Sequence, residues 1–317
     1  MIDKTDCTRD SSTNQEVDKS TIALFGEVLA DIFPDRSVLG GAPYNVARHL
    51  QVFGQHPVLV TRTGNDSLRE AFLAEMTRLG MDDSGVQCDQ IHPTGQVIVH
   101  LDESGHRFEI LPDQAYDHIH AGVVHLITMA THPSMVYFGT LAQRSLESRL
   151  ALDMFLSETK SPRFLDINLR DPWYDKHIIK RSLLRANIVK LNEEELQVIA
   201  GLFRLAGSGL RDYGLHLIEM FNLDCLLVTC GANGAWMLSR DGVETRSSGK
   251  ALHGGLVDTV GAGDGFAAVC ILGILGNWDA DVMLDRANAF AAALCGVRGA
   301  MPQNRDFYVP FFEDQTL

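Results

Sequence analysis

Short apolar runs alternate with amphipathic stretches along most of the chain. Residues 21–26 (TIALFG) form an apolar run of strand length, followed by a segment whose apolar positions Val46, Leu50 and Phe53 keep the i, i+4, i+7 spacing of a helix. Residues 57–61 predict the next strand and residues 67–79 the helix after it. Further strands are predicted at 135–138, 163–167, 188–191 and 226–229, with helical stretches between most of them. Strands alternating with helices imply an α/β fold, a mostly parallel sheet covered by helices on both faces.

One segment breaks the alternation. Residues 96–101 and 106–111 flank Asp102-Glu103-Ser104-Gly105, a β-hairpin signature, with Val97, Val99 and Leu101 on one face. The hairpin is too small for a domain and is predicted to be a flap or lid on the sheet. From about Gly261 onward the chain is mostly helical in pattern and rich in Ala and Gly, which suits close packing on the sheet.

Composition narrows the class. At about 150 residues per domain, a length of 317 suits one large domain with at most a small appendage. The 27 Lys and Arg against 41 Asp and Glu leave a formal charge of −14, a poor match to nucleic acid as the main partner. The longest apolar stretch, 266–276, is well short of a membrane span. Residues 1–20 mix both charge signs without an apolar core and are expected to be a disordered leader, leaving 21–317 as the folded unit. The six cysteines, Cys7, Cys88, Cys225, Cys230, Cys270 and Cys295, form no C-x-x-C pair and are expected to be buried, reduced thiols of a cytoplasmic protein.

Two glycine-rich turns carry candidate chemistry. In Asp258-Thr-Val-Gly-Ala-Gly-Asp264-Gly-Phe, glycines open a long apolar helix, so backbone N–H groups at its start can approach an anion closely. Asp264 in that first turn suits a general base, or simply a capping carboxylate. The third glycine of a dinucleotide fingerprint is missing because position 266 is Phe, and no G-K-[ST] follows as in a P-loop. The second turn, Gly40-Gly-Ala-Pro-Tyr-Asn45-Val-Ala, combines close backbone approach, a proline suited to a helix start and an amide able to donate and accept. Asp31 adds an acceptor for hydroxyl donors; the same residues would also make an ordinary loop-to-helix turn.

Together the two turns resemble the signature motifs of the ribokinase-like, pfkB-type carbohydrate kinases, and GGAPxNVA resembles the fructokinase branch. Further matches follow in family order: Thr63-Gly-Asn-Asp66, Gly139-Thr-Leu-Ala-Gln-Arg144, Asp166-Ile-Asn-Leu-Arg170, Asn192-Glu-Glu-Glu195 and Val228-Thr-Cys-Gly-Ala-Asn-Gly234. The resemblance spans residues 21–312. It implies a three-layer α/β fold with a small, reduced β lid from residues 31–40 and 95–112, and ATP-dependent phosphorylation of a sugar hydroxyl, D-fructose first.

It also implies roles. Asp264 would be the general base, with the N–H groups of Gly261, Ala262 and Gly263 as anion hole. Asp31, Gly41, Asn45 and Arg170 would contact the sugar, although a surface ion pair of Arg170 with Asp171 or Asp175 is equally compatible with the sequence. Asn192 and Glu195 would organise Mg²⁺ through water, or Glu193, Glu194 and Glu195 would merely be an acidic helix start. Thr229, Gly231, Gly234, Gly263 and Asn288 would bind ATP, and Asp258, Val260 and Gly299 would frame a K⁺ site. The expected partners are a small sugar and ATP, with neither nucleic acid nor membrane, in a monomer or homodimer. The alternatives are a kinase for a 2-keto-3-deoxy sugar acid, another ketose or a nucleoside, with Arg107, Arg144 and Arg170 as available cations, and an inactive regulatory relative.

Departures from the pattern matter too. Eight residues, 32–39, separate Asp31 from Gly40, too few for a long flap strand pair, so the lid is expected to rest mainly on the 96–111 hairpin, with His106, Phe108 and Ile110 toward the sugar. Ala42 stands where ribokinase-type relatives carry Lys, Tyr44 is bulkier than the usual Ala, and Cys230 replaces an aliphatic residue.

Overall fold

The computed structural model describes residues 20–102, 105–251, 255–302 and 304–312. The expected leader therefore lies outside the described residues except for Ser20, whose carbonyl accepts from His56 N. The strands in chain order are β1 (Thr21–Phe25), β2 (Leu29–Ile32), β3 (Ser37–Gly40), β4 (His56–Gly64), β5 (Val86–Asp89), β6 (Gly95–Asp102) and β7 (Gly105–Ile110). They continue as β8 (Met135–Gly139), β9 (Arg163–Asp166), β10 (Ile188–Asn192), β11 (Cys225–Thr229), β12 (Gly234–Ser239) and β13 (Glu244–Ser248).

Among the described residues, nine of these strands form one sheet in the order β13-β12-β11-β10-β9-β8-β1-β4-β5. It is parallel from β11 to β5, and only β12 and β13 run antiparallel at one edge. The apolar runs of the central strands follow from burial on both faces. In β1, Ile22 and Leu24 join one buried cluster while Ala23 and Phe25 join the other. One cluster is completed by the helices Ala42–Val52, Ser67–Leu79, Ala262–Leu275 and Ala280–Leu294; the other takes residues from Leu146–Glu158, Glu193–Phe203 and Leu210–Phe221. This is the predicted three-layer α/β arrangement.

The helix Ser67–Leu79 has the predicted bounds because its ends are marked chemically. Asp66 accepts from Arg69 N at the start, and Gly80 closes the end in the left-handed region with φ 70°. The antiparallel edge strands β12 and β13 escaped the sequence reading. Among the described residues, no helix is long and apolar enough to cross a membrane.

A second sheet, β3-β2-β6-β7, stands over the end of the first. Strands β6 and β7 are the predicted hairpin, with Val97 opposite Ile110 and Val99 opposite Phe108. The segment after Asp31 holds no long strand pair but does hold a short one: Leu29–Ile32 and Ser37–Gly40 pair antiparallel over four residues each, and β2 also runs parallel to β6. A tight turn in which Phe33 N donates to Arg36 O makes this possible within so few residues. The lid is thus a four-stranded sheet whose longer strands come from the hairpin. The thiols also need correction, since Cys270 is buried but Cys88 is exposed and Cys225, Cys230 and Cys295 are half-buried; Cys7 lies outside the described residues.

Candidate functional site

The carboxyl ends of β1, β8, β9, β10 and β11 point to one end of the sheet, where open parallel sheets place their ligands. Two cavities lie there. One, of about 450 Å³, sits between this end and the lid and is lined by Glu27, Asp31, Gly41, Asn45, Arg170 and Asp264, with Val97, Phe108 and Ile110 from the lid hairpin. The other, of about 330 Å³, is mostly apolar and is lined by Thr229, Gly231, Gly234, Ala262, Gly263 and Asn288. Thr259 and Gly263 line both, so the cavities meet at the start of the helix Ala262–Leu275.

That helix start is built for close approach. Gly261 precedes it at φ 81°, and a Cβ there would lie 2.4 Å from that of Ala300. The first intrahelical bond runs from Gly265 N to Gly261 O at 2.9 Å, so the preceding N–H groups have no carbonyl four residues back, although Ala262 N makes a long 3.3 Å bond to Thr259 O. Asp264, in this first turn, opens onto the acidic cavity.

The carboxylate of Asp264 is oriented by a relay from another helix. Asn45 Nδ2 donates to Asp264 Oδ2 at 2.7 Å, and Arg48 Nη2 donates to Asn45 Oδ1 at 2.5 Å. A guanidinium only donates, so it fixes which end of the Asn45 amide faces Asp264. Arg48 lies over the ring of Tyr44 at 4.3 Å, and Tyr44 packs edge-on against Phe72. Tyr44 therefore sits outside the cavity and supports the relay from behind.

Burial pushes Asp264 up to about 6, helped by the nearby Asp166 charge and opposed by the Asn45 bond, Lys190 and Arg170. Asp31 rises to about 6 and Glu27 to about 7, both through burial, with Arg170 opposing. Glu27, in the turn between β1 and β2, is 5% exposed, and its Oε2 has no hydrogen-bond partner among the described residues. Lys190, from the middle of β10, donates to both oxygens of Asp166 at 2.9 and 3.0 Å. Burial alone would depress Lys190, but Asp166, Glu195 and Asp264 hold its ammonium above the ordinary range.

Most predicted site residues come together. Asp31, Gly41, Asn45, Arg170 and Asp264 line the acidic cavity; Thr229, Gly231, Gly234, Gly263 and Asn288 line the other. Arg170 takes no part in an ion pair with Asp171 or Asp175 among the described contacts and faces Glu27, Asp31 and Asp264 instead. Arg144 is committed elsewhere, forked onto Asp117 at 2.7 Å, and Arg107 is exposed on the hairpin. Asn192 and Glu195 form a reciprocal capping box: Asn192 Oδ1 accepts from Glu195 N, and Glu195 Oε2 accepts from Asn192 N. Glu195 Oε1 also takes the Leu169 N–H at 2.8 Å, which pins the end of β9 to β10. Asp258 bridges the other predicted group, with Oδ1 accepting from Val260 N and Oδ2 from Gly299 N, each at 3.0 Å. Phe108 and Ile110 face the cavity as predicted, whereas the side chain of His106 lies outside the described residues.

Sequence reasoning missed Glu27, Arg48 and the Lys190–Asp166 pair. A signal existed for the last: a lysine inside the apolar run of a central parallel strand requires a buried counter-ion.

Comparison with known proteins follows the same lines. A sugar kinase of Pyrococcus horikoshii, described as uncharacterized, is 28% identical over 271 residues, 82% of each chain. Its crystal structure superposes with a TM-score of 0.76 at 25% identity, covering 92% of this chain and 97% of that one. An Escherichia coli fructokinase is 28% identical over 274 residues, 79% of this chain and 83% of its own. The fold is shared with a double mutant of Vibrio cholerae fructokinase in a fructose-, ADP- and potassium-bound form, at TM-score 0.73 and 23% identity, covering 92% and 97% of the two chains. The family model described as "pfkB family carbohydrate kinase" matches residues 13–306, which takes in both glycine-rich turns, the lid and every strand end that lines the two cavities: the chain belongs to the pfkB family of carbohydrate kinases.

Proposed function

We propose that the protein transfers the γ-phosphoryl group of ATP to a hydroxyl of a small neutral sugar, D-fructose being the first candidate. The observation that carries this reading is the meeting of an acidic cavity and a glycine-rich cavity at Gly263, with Asp264 facing the first. The sugar would lie under the lid against Asp31, Gly41, Asn45 and Arg170. ATP would occupy the second cavity, along Thr229, Gly231, Gly234 and Asn288, with its γ-phosphate at the helix start.

Phosphoryl transfer needs mainly positioning, charge stabilisation and a proton acceptor. Asn45 occupies Oδ2 of Asp264, which leaves Oδ1 for the sugar hydroxyl. As that oxygen bonds to phosphorus and the bond to the ADP oxygen breaks, its proton passes to Asp264. The N–H groups of Gly261, Ala262 and Gly263, at the positive end of the helix, would stabilise the transferring group. A base near 6 is better matched to proton abstraction at neutral pH than an ordinary aspartate.

When bound, Mg²⁺ neutralises nucleotide phosphate charge. Each Glu195 oxygen accepts one backbone N–H and keeps a lone pair, so Asn192 and Glu195 fit a hydrated ion through water. The loop of Asp258, Val260 and Gly299 would frame K⁺; the potassium in the Vibrio cholerae structure supports testing this.

Fructose is favoured by the fructokinase relatives and by charge. Glu27, Asp31 and Asp264 face Arg170, while the other cation of the lining, Lys190, is already paired with Asp166. Such a cavity suits neutral hydroxyls better than a carboxylate. Arg170 is the one feature favouring a sugar acid. An ADP-release assay over ketoses, aldoses, 2-keto-3-deoxy acids and nucleosides tests the reading. The highest kcat/KM with fructose supports it, a higher value with an acid or nucleoside replaces the substrate, and ADP binding without any turnover would indicate an inactive relative.

A further inference from the structure

Away from both cavities, three side chains converge at the foot of the lid. His118 Nε2 lies 2.8 Å from Asp113 Oδ1, and His92 Nε2 lies 3.6 Å from the same oxygen. The two imidazoles are nearly parallel, with ring centroids 3.6 Å apart. The three potential ligand atoms lie within 4.8 Å of one another, and no other group of His, Cys, Asp or Glu of this kind occurs among the described residues.

The far side of each imidazole is also held by a carboxylate. Asp89 Oδ2 lies 3.1 Å from His92 Nδ1, and Glu147 Oε2 lies 3.0 Å from His118 Nδ1. Asp89 is itself fixed, 1% exposed, by the N–H groups of Ile91 and His92 and by Arg62 Nε at 2.9 Å. A carboxylate can only accept, so each Nδ1 carries a proton toward its outer carboxylate, and without a metal His118 Nε2 likewise donates to Asp113 Oδ1. A metal ion at this point would replace the Nε2 proton of His118 beside the Asp113 carboxylate, and one ring would turn out of the parallel stack so that both in-plane Nε2 lone pairs reach the ion. Imidazoles backed by carboxylates are the usual setting of histidine metal ligands, because the outer partner fixes the tautomer and raises ligand basicity.

We propose that His92, His118 and Asp113 bind a divalent transition metal, Zn²⁺ by preference, and that the ion clips together the two roots of the lid hairpin. The donor set of two imidazoles and one carboxylate suits Zn²⁺, with water in the fourth position. Asp113 is 72% exposed, which leaves that position open. The placement makes the ion a structural clip, because His92 stands three residues before the start of β6 and Asp113 three residues after the end of β7. Asp113 holds a left-handed backbone at φ 54°, which turns its carboxylate back toward the histidines. The site shares no lining residue with either cavity, so its test does not depend on the kinase reading.

Tag-free protein, stripped with chelator, is titrated with Zn²⁺ by calorimetry and with Co²⁺ by visible absorption. The expected result is one Zn²⁺ per chain, cobalt d–d bands of a four-coordinate ion, and a Zn²⁺-dependent rise in Tm. His92→Gln and His118→Gln should each weaken Zn²⁺ at least tenfold, and the double variant should lose the cobalt bands and the Tm rise. Circular dichroism checks that both remain folded, and Asp113→Asn provides a third variant at an exposed position. Absence of Zn²⁺ binding by the wild type, or equal binding by wild type and double variant, would overturn the proposal and leave His118 as a protonated bridge between Asp113 and Glu147.

Discussion

Asn45 and Asp264 are separated by 219 positions in the chain, yet the Asn45 amide donates to Asp264 Oδ2 at 2.7 Å. This one bond joins the two glycine-rich turns, orients the carboxylate proposed as base and favours its charged form. Replacing Asp264 by Asn keeps the shape and removes the proton acceptor. The expected result is a fall in kcat of about 10²–10⁴-fold, with nucleotide affinity measured by calorimetry unchanged. Turnover within tenfold of wild type would remove Asp264 from the mechanism.

The pH profile follows from the same carboxylate. A base works deprotonated, so kcat/KM should climb with pH through about 6, the value to which burial lifts Asp264, rather than through the ordinary aspartate range. Asn45→Ala removes a contact that lowers the pKa, so its acidic limb should move to higher pH. A limb in wild type at the ordinary aspartate value would contradict the buried environment of Asp264.

Stability should run the other way. Glu27 titrates at about 7 in the fold against 4.5 in the open chain, so its contribution is full below the open-chain value and is lost as pH rises through 7. Glu27→Gln should therefore stabilise the ligand-free protein relative to wild type at pH 8, by up to about 3 kcal/mol, and the gap should close toward pH 4. Chemical denaturation at the two pH values measures it; a gap independent of pH would mean that Glu27 is not buried as a charge.

Gly261 offers a separable test of backbone geometry. Gly261→Ala combines a left-handed φ, costing about 1–2 kcal/mol, with a collision at Ala300. The double variant with Ala300→Gly removes the clash with the Ala300 Cβ but not that with its Cα at 2.5 Å, so it should recover only a small part of the lost Tm. Recovery of full kcat in the double variant would argue against a role for this turn in holding the phosphoryl group.

Phe108 tests the lid. Phe108→Ala should raise KM for sugar several-fold while KM for ATP stays within twofold, and sugar-independent ATP hydrolysis should rise as water gains entry. If neither the sugar KM nor the idle hydrolysis changes, the hairpin covers the sheet edge without closing the site.

The parts legible in sequence were those with a strong local signal. TIALF reads as a strand because both faces of β1 are buried, and the helix Ser67–Leu79 is bracketed by Asp66 and Gly80. The two glycine-rich turns were visible because backbone approach leaves a glycine signature. Strands β2 and β3 were not, since four residues each carry no period and their pairing depends on β6. Glu27 has no motif around it, and its burial exists only once the lid is in place. Asn192 and Glu195 show a real ambiguity of letters, because N-x-x-E is also a capping box, and the backbone here uses it as one. The convergence of His92 and His118 depends on tertiary packing and left no local trace.

The two cavities touch at Thr259 and Gly263 and otherwise have separate walls, one from the lid and the first glycine-rich turn, the other from β11, β12 and the last long helices. On the proposed assignment, with the sugar in the first cavity and ATP in the second, donor and acceptor selection would be modular. Changes confined to Val97, Phe108 and Ile110 can re-tune which hydroxyl compound is accepted without touching the nucleotide wall. A library randomised at those positions and selected on new acceptors should keep the ATP affinity of its parent, which makes this scaffold a convenient starting point for engineered phosphorylation.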